Sequence, residues 1–182
     1  MAAIKFKINW QKAIEAIVWL ARGRPGISPF FIAKVLYYAD KKHLQLYARP
    51  ILGDTYIKME HGPVPSGVQD LVNMNSFLDP DLLEAAAAAI KVSRGNVPKV
   101  KARRKPNLDV FSPTDIACLE GALAEYGDLP FAKLRELSHS ERAWREAPEN
   151  GPMDYSLMLD DDLPDRDELL EEIEENAAYA VL

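Results

Sequence analysis

Four side chains in this sequence could act as metal ligands or nucleophiles: His43, His61, His139 and Cys118. A zinc site needs several converging ligands, which usually appear as close pairs, and none of these residues is paired at such a spacing. Cys118 lies among apolar positions of a predicted helix and has acidic neighbours, whereas a nucleophilic thiol needs a cationic one. The sequence also contains no glycine-rich phosphate loop. It therefore predicts no metal, no cofactor and no enzyme activity.

Basic residues are concentrated between residues 91 and 105, where no acidic residue occurs. Valines on both sides of Gly95-Asn96 predict a β-hairpin for this stretch. Its charges could track a phosphate backbone, dock onto an acidic partner or the protein's own acidic tail, or simply discourage pairing at an exposed edge. The basic residues are Lys91, Arg94, Lys99, Lys101, Arg103, Arg104 and Lys105.

The C-terminal region has the opposite charge. Residues 160–175 contain ten Asp or Glu residues and a single basic residue, Arg166. Leu169, Leu170 and Ile173 could line one side of a terminal helix. The segment is interpreted either as a solubilising extension or as one that becomes ordered when it covers the basic surface of a partner.

Length and composition are those of one globular domain. The chain has 182 residues and a net charge of −6, which argues against non-specific binding to nucleic acid or to anionic membranes. No stretch reads as a membrane span or a secretory signal, and the single cysteine fits a reducing compartment, so a cytoplasmic location is predicted. We predict one domain over residues 1–148, followed by a partly helical acidic extension over residues 149–182.

The elements that position these residues predict a mainly helical α+β fold. Ser28-Pro29 starts a helix whose first half has almost no polar face, so it is expected to be the buried central helix of a single domain. Ser112-Pro113 repeats the same start signal. A few short antiparallel strands and the 91–105 hairpin complete the predicted fold.

The segment between residues 55 and 69 predicts one strand followed by a helix. Alternation along residues 55–60 indicates a half-buried strand, which the prolines and glycine of residues 61–65 are expected to end. Ser66 with Gln69 resembles a capping box that would begin the next helix.

The chain resembles the Panacea antitoxin domain, also called SocA-like, from about Ile8 to Ala147. The resemblance rests on a spaced series of motifs and on a later signature, Ser138-His139-Ser140-Glu141 with Trp144. It implies an antitoxin that neutralises a cognate toxin by direct binding, or an adaptor that passes the toxin to a bacterial AAA+ protease. Phage-associated copies are common in this family. The spaced motifs are Tyr37-Tyr38-Ala39-Asp40, Tyr47, Arg49-Pro50, Gly53-Asp54 and Gly62-Pro63-Val64.

Residues of these motifs and of the basic hairpin are the predicted partner contacts. The motif residues also have a structural interpretation, because glycine and proline shape a turn and buried tyrosines send their hydroxyls to polar partners. The alternative function is a DNA-binding autorepressor that uses the hairpin 91–105, which leaves nucleic acid open as a partner without favouring it. The predicted contacts are Tyr38, Asp40, His61, Gly62, Pro63, Val64, Arg94, Lys101, Arg103, Arg104 and Trp144.

Overall fold

The computed structural model describes residues 3–179, which fold into helices and two separate antiparallel hairpins, confirming the mainly helical α+β class. Two short 3₁₀ helices lie at Leu108–Val110 and Tyr155–Met158. The helices are α1 (Trp10–Gly23), α2 (Pro29–Tyr47), α3 (Ser66–Asn73), α4 (Pro80–Ala89), α5 (Pro113–Tyr126), α6 (Phe131–Ser140), α7 (Arg142–Glu146) and α8 (Arg166–Tyr179). The strands are β1 (Tyr56–Met59), β2 (Gly62–Pro65), β3 (Ile90–Ser93) and β4 (Lys99–Ala102).

Helix α2 is the central element, as the sequence predicts. Every residue from Ile32 to Asp40 is buried, and the helix packs against α5, β2 and α3. A helix that is apolar nearly all round can only be stable when other elements surround it. The two serine–proline start signals differ in detail, because the Ser112 side chain caps α5 in a capping box with Asp115, whereas the predicted capping hydroxyl of Ser28 makes no such bond.

The expectation that residues 61–65 end the first strand is wrong. Gly62–Pro65 forms β2, which pairs with β1 across a two-residue turn at Glu60 and His61. In a two-stranded sheet every strand has a free edge, so prolines at positions 63 and 65 are tolerated where they would disrupt a central strand. On β1 the buried side chains are Tyr56 and Lys58.

The capping box predicted at Ser66 and Gln69 is also wrong. Helix α3 is capped from a distance by Asp54, whose carboxylate accepts hydrogen bonds from the backbone N–H groups of Gly67 and Val68, both at 2.9 Å. The Ser66 hydroxyl donates to the same carboxylate at 3.5 Å. A carboxylate at a helix N-terminus accepts hydrogen bonds from free N–H groups and interacts favourably with the helix dipole. Asp54 therefore has the capping role that was predicted for Ser66.

The chain after residue 148 packs onto the same core. Met153 N–H donates to the Tyr56 carbonyl at 2.8 Å, and the Tyr155 hydroxyl donates to the Asp54 carbonyl at 2.7 Å. Further along, Ile173 of α8 is fully buried, while the acidic side chains of this helix are exposed. Within residues 3–179 no helix is both long and apolar enough to cross a membrane.

Candidate partner-binding surfaces

Asp40, one of the predicted partner contacts, lies inside the protein. Its carboxylate is 1% exposed and accepts hydrogen bonds from Ile51 N–H (2.8 Å), Leu52 N–H (3.1 Å) and the Tyr56 hydroxyl (2.9 Å). Burial raises the pKa of Asp40 to about 6, against the lowering effect of these hydrogen bonds. The structure therefore gives Asp40 an internal role, which is to fasten the loop after α2 to the central helix.

Tyr38 is also mostly buried, at the edge of a cavity between α2 and α5. Its ring stacks on that of Tyr126 with centroids 3.9 Å apart, and its hydroxyl has no hydrogen-bond partner among residues 3–179. The cavity has a volume of about 400 Å³. Burial raises the pKa of Tyr38 well above its ordinary value, so the hydroxyl stays protonated.

A buried ion cluster joins α1, α2 and α5 around Asp115, and the sequence patterns did not predict it. The Asp115 carboxylate accepts from Lys12 Nζ at 2.9 Å and from Arg49 Nη2 at 3.0 Å, and His43 Nε2 lies 3.1 Å away. His43 Nδ1 donates to the Arg49 carbonyl at 2.8 Å. Although burial alone would raise it, these hydrogen bonds hold the pKa of Asp115 well below its usual range.

These contacts make His43 a structural residue, and Cys118 is a buried free thiol whose pKa is raised by burial. In the described part of the chain, residues 3–179, no group of three or more His, Cys, Asp or Glu residues could hold a metal ion.

The turn between β1 and β2 exposes Met59 and His61 and lies beside the exposed ring of Phe131. We call it the turn surface: the tip Met59–His61 with the side chains of α2, α6 and α7 that flank it. Phe30 forms one wall, and Lys34, one helical turn further along α2, lies buried beneath the tip. The other wall is formed by Phe131, Arg135, His139 and Trp144.

Aromatic contacts hold the turn surface together. Phe131 lies between two partners, with ring centroids 4.5 Å from Phe30 and 5.4 Å from His61. Its side chain is nevertheless 46% exposed, and Met59 beside the turn is 41% exposed. His61 is exposed, so this part of the prediction falls on accessible surface.

Gly62 and Pro63 are buried beneath the tip and fix its position. Gly62 has a φ of +101°, and a Cβ there would collide with Ser138 Oγ and lie 3.0 Å from Lys34 Nζ. Only glycine fits such a backbone and such a close approach. The Pro63 carbonyl accepts from Lys34 Nζ at 2.8 Å, and the neighbouring Val64 is half-buried.

Trp144 is brought to the same hairpin, although it is 80 residues distant from the predicted turn residues. Its Nε1 donates to the Met59 carbonyl at 3.1 Å, and its ring stacks on His139 at 3.9 Å. The Lys58 ammonium lies 4.8 Å from the Trp144 ring. The structure thus places Trp144 against the hairpin that carries His61–Val64, although Gly62 and Pro63 themselves are buried.

The basic hairpin is a separate feature that packs against α1 and α4. Lys91 lies directly opposite Lys101 in the register, and both are exposed, as is Arg94 in the loop. Arg103 and Arg104 are partly engaged within the protein. Arg103 Nε donates to the Ile90 carbonyl at 3.1 Å. Arg104 forms a bidentate ion pair with Glu15, in which Nη2 and Nη1 donate to the two carboxylate oxygens at 2.6 and 2.9 Å.

The patterns did not single out Phe30, Lys34, Phe131 and Arg135 as site residues. Their signal was present as i, i+4 spacing, with Phe30 and Lys34 on α2 and Phe131 and Arg135 on α6. A lysine within an otherwise apolar helix is a second signal, because a buried ammonium needs a specific acceptor. The spacing alone does not show which neighbouring segment these pairs of side chains face.

The described residues form a mainly helical α+β fold that carries the turn surface, a basic hairpin and an acidic helix α8. The chain matches the family described as antitoxin SocA-like, Panacea domain, over residues 32–145, and it belongs to that family. The matched region begins within α2, ends within α7 and includes the turn surface apart from Phe30. Membership gives the chain an antitoxin-like role and suggests a non-enzymatic one. No curated protein and no solved structure matches it significantly.

Proposed function

We propose that this protein is an antitoxin that neutralises a cognate toxin by direct binding in the cytoplasm, with the turn surface as the main contact. The observation that carries the proposal is the exposure of Met59 and His61 on a turn that buried contacts hold in place, beside the exposed ring of Phe131 on α6. Aromatic residues and methionine are enriched where proteins meet, and charged residues are depleted there.

Rigidity of the turn supports tight binding. A flexible loop loses conformational entropy when it becomes ordered on binding, which weakens the complex. A loop that is already ordered in the free protein avoids this loss. Three contacts hold this turn from below: the bond from Lys34 to the Pro63 carbonyl, the bond from Trp144 to the Met59 carbonyl, and the close packing at Gly62. A partner therefore meets a surface that needs little rearrangement.

The acidic face of α8 supports an electrostatic attraction between this protein and a basic toxin. Glu168, Glu171, Glu172 and Glu175 follow i, i+3, i+4, i+7 spacing, so they share a face, and all four are exposed. Like charges at this spacing repel one another, and a basic partner would relieve the repulsion. Toxins that act on RNA or nucleotides need basic surfaces because their substrates are anionic.

Co-expression with the toxin encoded beside this chain tests the proposal. Wild type is expected to restore growth, whereas Phe131→Ala is expected to weaken binding by about 2 kcal/mol, roughly thirtyfold in Kd, as for a central aromatic contact. Phe77→Ala is the matched control, because Phe77 is 74% exposed on the loop between α3 and α4 and lies outside the turn surface.

Equal rescue by the two phenylalanine variants would remove the turn surface from the proposal. Failure of soluble wild type to rescue would remove the antitoxin assignment itself. Toxin abundance in rescued cells separates two routes that share one complex: unchanged abundance supports direct neutralisation, and depletion supports delivery to an AAA+ protease.

A second candidate function is repression of the protein's own operon through DNA binding. The observation that favours it is the direct opposition of Lys91 and Lys101 on the exposed face of the hairpin, an arrangement that an anion would stabilise. Binding to upstream DNA should weaken steeply with added salt, as phosphate contacts do. Unchanged DNA mobility at low salt would eliminate this candidate.

A further inference from the structure

Four basic side chains converge beneath and beside the tip of the turn surface: Lys34, His61, Arg135 and His139. Arg135 and His139 are one helical turn apart on α6, while Lys34 faces them from α2. We call these four residues the basic cluster. It is distinct from the basic hairpin, which packs against other helices.

Two nitrogens of the basic cluster lack hydrogen-bond partners. Arg135 Nε and His139 Nε2 are buried, and neither has an acceptor among residues 3–179. A buried donor without an acceptor has lost its hydration and gained no hydrogen bond. Arg135 Nε–H is such a donor, and His139 Nε2 becomes one when the imidazole is protonated. Lys34 is 1% exposed, and of its three N–H donors one reaches the Pro63 carbonyl. The cluster therefore has spare donor capacity in a place where water has little access.

The charged forms of Lys34 and His139 are disfavoured at their positions in the basic cluster. Burial lowers the pKa of Lys34 to about 7. Burial, together with the charges of Arg135, Lys34 and His61, lowers the pKa of His139, against a hydrogen bond to the Glu60 backbone. An anion placed among these groups would favour their charged forms and raise the pKa values of Lys34 and His139.

Carboxylates of the surrounding elements are already paired elsewhere. Glu136 of α6 binds Lys133 at 3.2 Å, and Glu141 binds Lys41 at 2.6 Å. Glu149 binds Lys58 at 2.8 Å. Glu60, at the tip itself, is the exception, because its exposed carboxylate forms no ion pair within the described part of the chain. No member of the basic cluster is paired with a carboxylate of residues 3–179, so the cluster is available to a carboxylate from outside.

We propose that the basic cluster is an anion-binding site that receives a carboxylate side chain of the bound toxin. The inference rests on the proposed function, because the turn surface is where the toxin is expected to dock. The planar guanidinium of Arg135 presents donors in the fork that matches a carboxylate. Phe131 and Trp144 flank the cluster and would exclude water from the ion pair, which strengthens it.

Titration of full-length protein with sodium acetate at constant ionic strength tests the site without the toxin. The imidazole ¹⁵N resonances of His139 and His61 are expected to shift in a saturable manner, and the pKa of His139 is expected to rise. His43 is an internal control, because its two ring nitrogens already face Arg49 and Asp115. Arg135→Gln should abolish the saturable shift, whereas Lys133→Gln, exposed on the same helix, should retain it.

Each result decides one question. Absence of a saturable shift in wild type overturns the anion site, and a shift with inorganic phosphate but not acetate overturns the carboxylate assignment. A shift with acetate combined with full toxin rescue by Arg135→Gln overturns the role in toxin binding. If wild type fails to rescue growth but still binds acetate, the proposed function fails while the site itself stands.

Discussion

Replacing Asp115 with alanine is expected to lower the free energy of unfolding by about 3–5 kcal/mol, the usual cost of removing one partner from a buried ion pair. The Asp115 side chain is 0% exposed and compensates Lys12 and Arg49 while contacting His43. Without it, the Lys12 ammonium, which is 8% exposed, stays buried with no opposing charge. The capping box of α5 is lost at the same time, which adds about 1 kcal/mol.

Asp128→Ala is the matched control for this measurement. Asp128 also pairs with an arginine, Arg24, at 2.7 Å, but its side chain is 83% exposed. An exposed ion pair contributes about 0–1 kcal/mol because water and salt screen it. Urea denaturation of both variants at pH 7 gives the comparison. A loss for Asp115→Ala no larger than that for Asp128→Ala would show that the buried cluster does not stabilise the fold.

Replacing Asp40 with alanine is expected to cost several kcal/mol, while asparagine is expected to be nearly neutral at pH 7. Alanine leaves the Ile51 and Leu52 N–H groups and the Tyr56 hydroxyl without an acceptor, at about 1–3 kcal/mol for each buried group. Asparagine keeps one oxygen for the two N–H groups and offers an N–H to the Tyr56 oxygen. It also removes a buried charge.

The same pair of variants gives a pH signature. Because the pKa of Asp40 is about 6 in the folded state and 3.8 ordinarily, the folded state binds the proton more tightly, so stability rises as the pH falls through 6 towards 3.8. A shift of two pKa units corresponds to about 3 kcal/mol over the full range. Asp54, whose pKa burial also raises to about 6, contributes in the same direction.

Melting temperatures of wild type and Asp40→Asn across this pH range provide the measurement. The variant should lose roughly the Asp40 part of the slope and retain the Asp54 part, and taking the difference at each pH cancels other titrating groups. Asp115 does not interfere, because the stability it supplies is lost only as the pH falls below its ordinary pKa. Identical slopes for the two proteins would contradict a raised pKa at Asp40.

Local patterns predicted the elements whose signals are local. The central helix, the hairpin predicted over residues 91–105 and observed over 90–102, and the helix start at Ser112-Pro113 each depend on residues within a few positions of one another. The errors came from long-range compensation. Asp54 caps α3 from across a hairpin, and a free strand edge tolerates two prolines, and neither fact is visible in a short window.

The partner surfaces show the same division. The resemblance identified Gly62-Pro63-Val64 and Trp144, and in the structure Trp144 lies against the same hairpin. It also placed Asp40 among the contacts, although that carboxylate faces its own backbone. Phe131 and Arg135 were not identified. Their i, i+4 spacing places them on one face of a helix, but it does not show that another segment packs against that face.

The docking of α8 onto the core has a consequence for how molecules first meet. Ile173 is fully buried, and Asn176 Nδ2 donates to the Ala48 carbonyl at 3.0 Å, so the carboxylates on the outer side of the helix are fixed relative to the fold. A mobile tail would attract a cation from any direction. Charges attached to a rigid body instead exert a torque on an approaching cationic protein, which turns it towards one orientation before the surfaces touch.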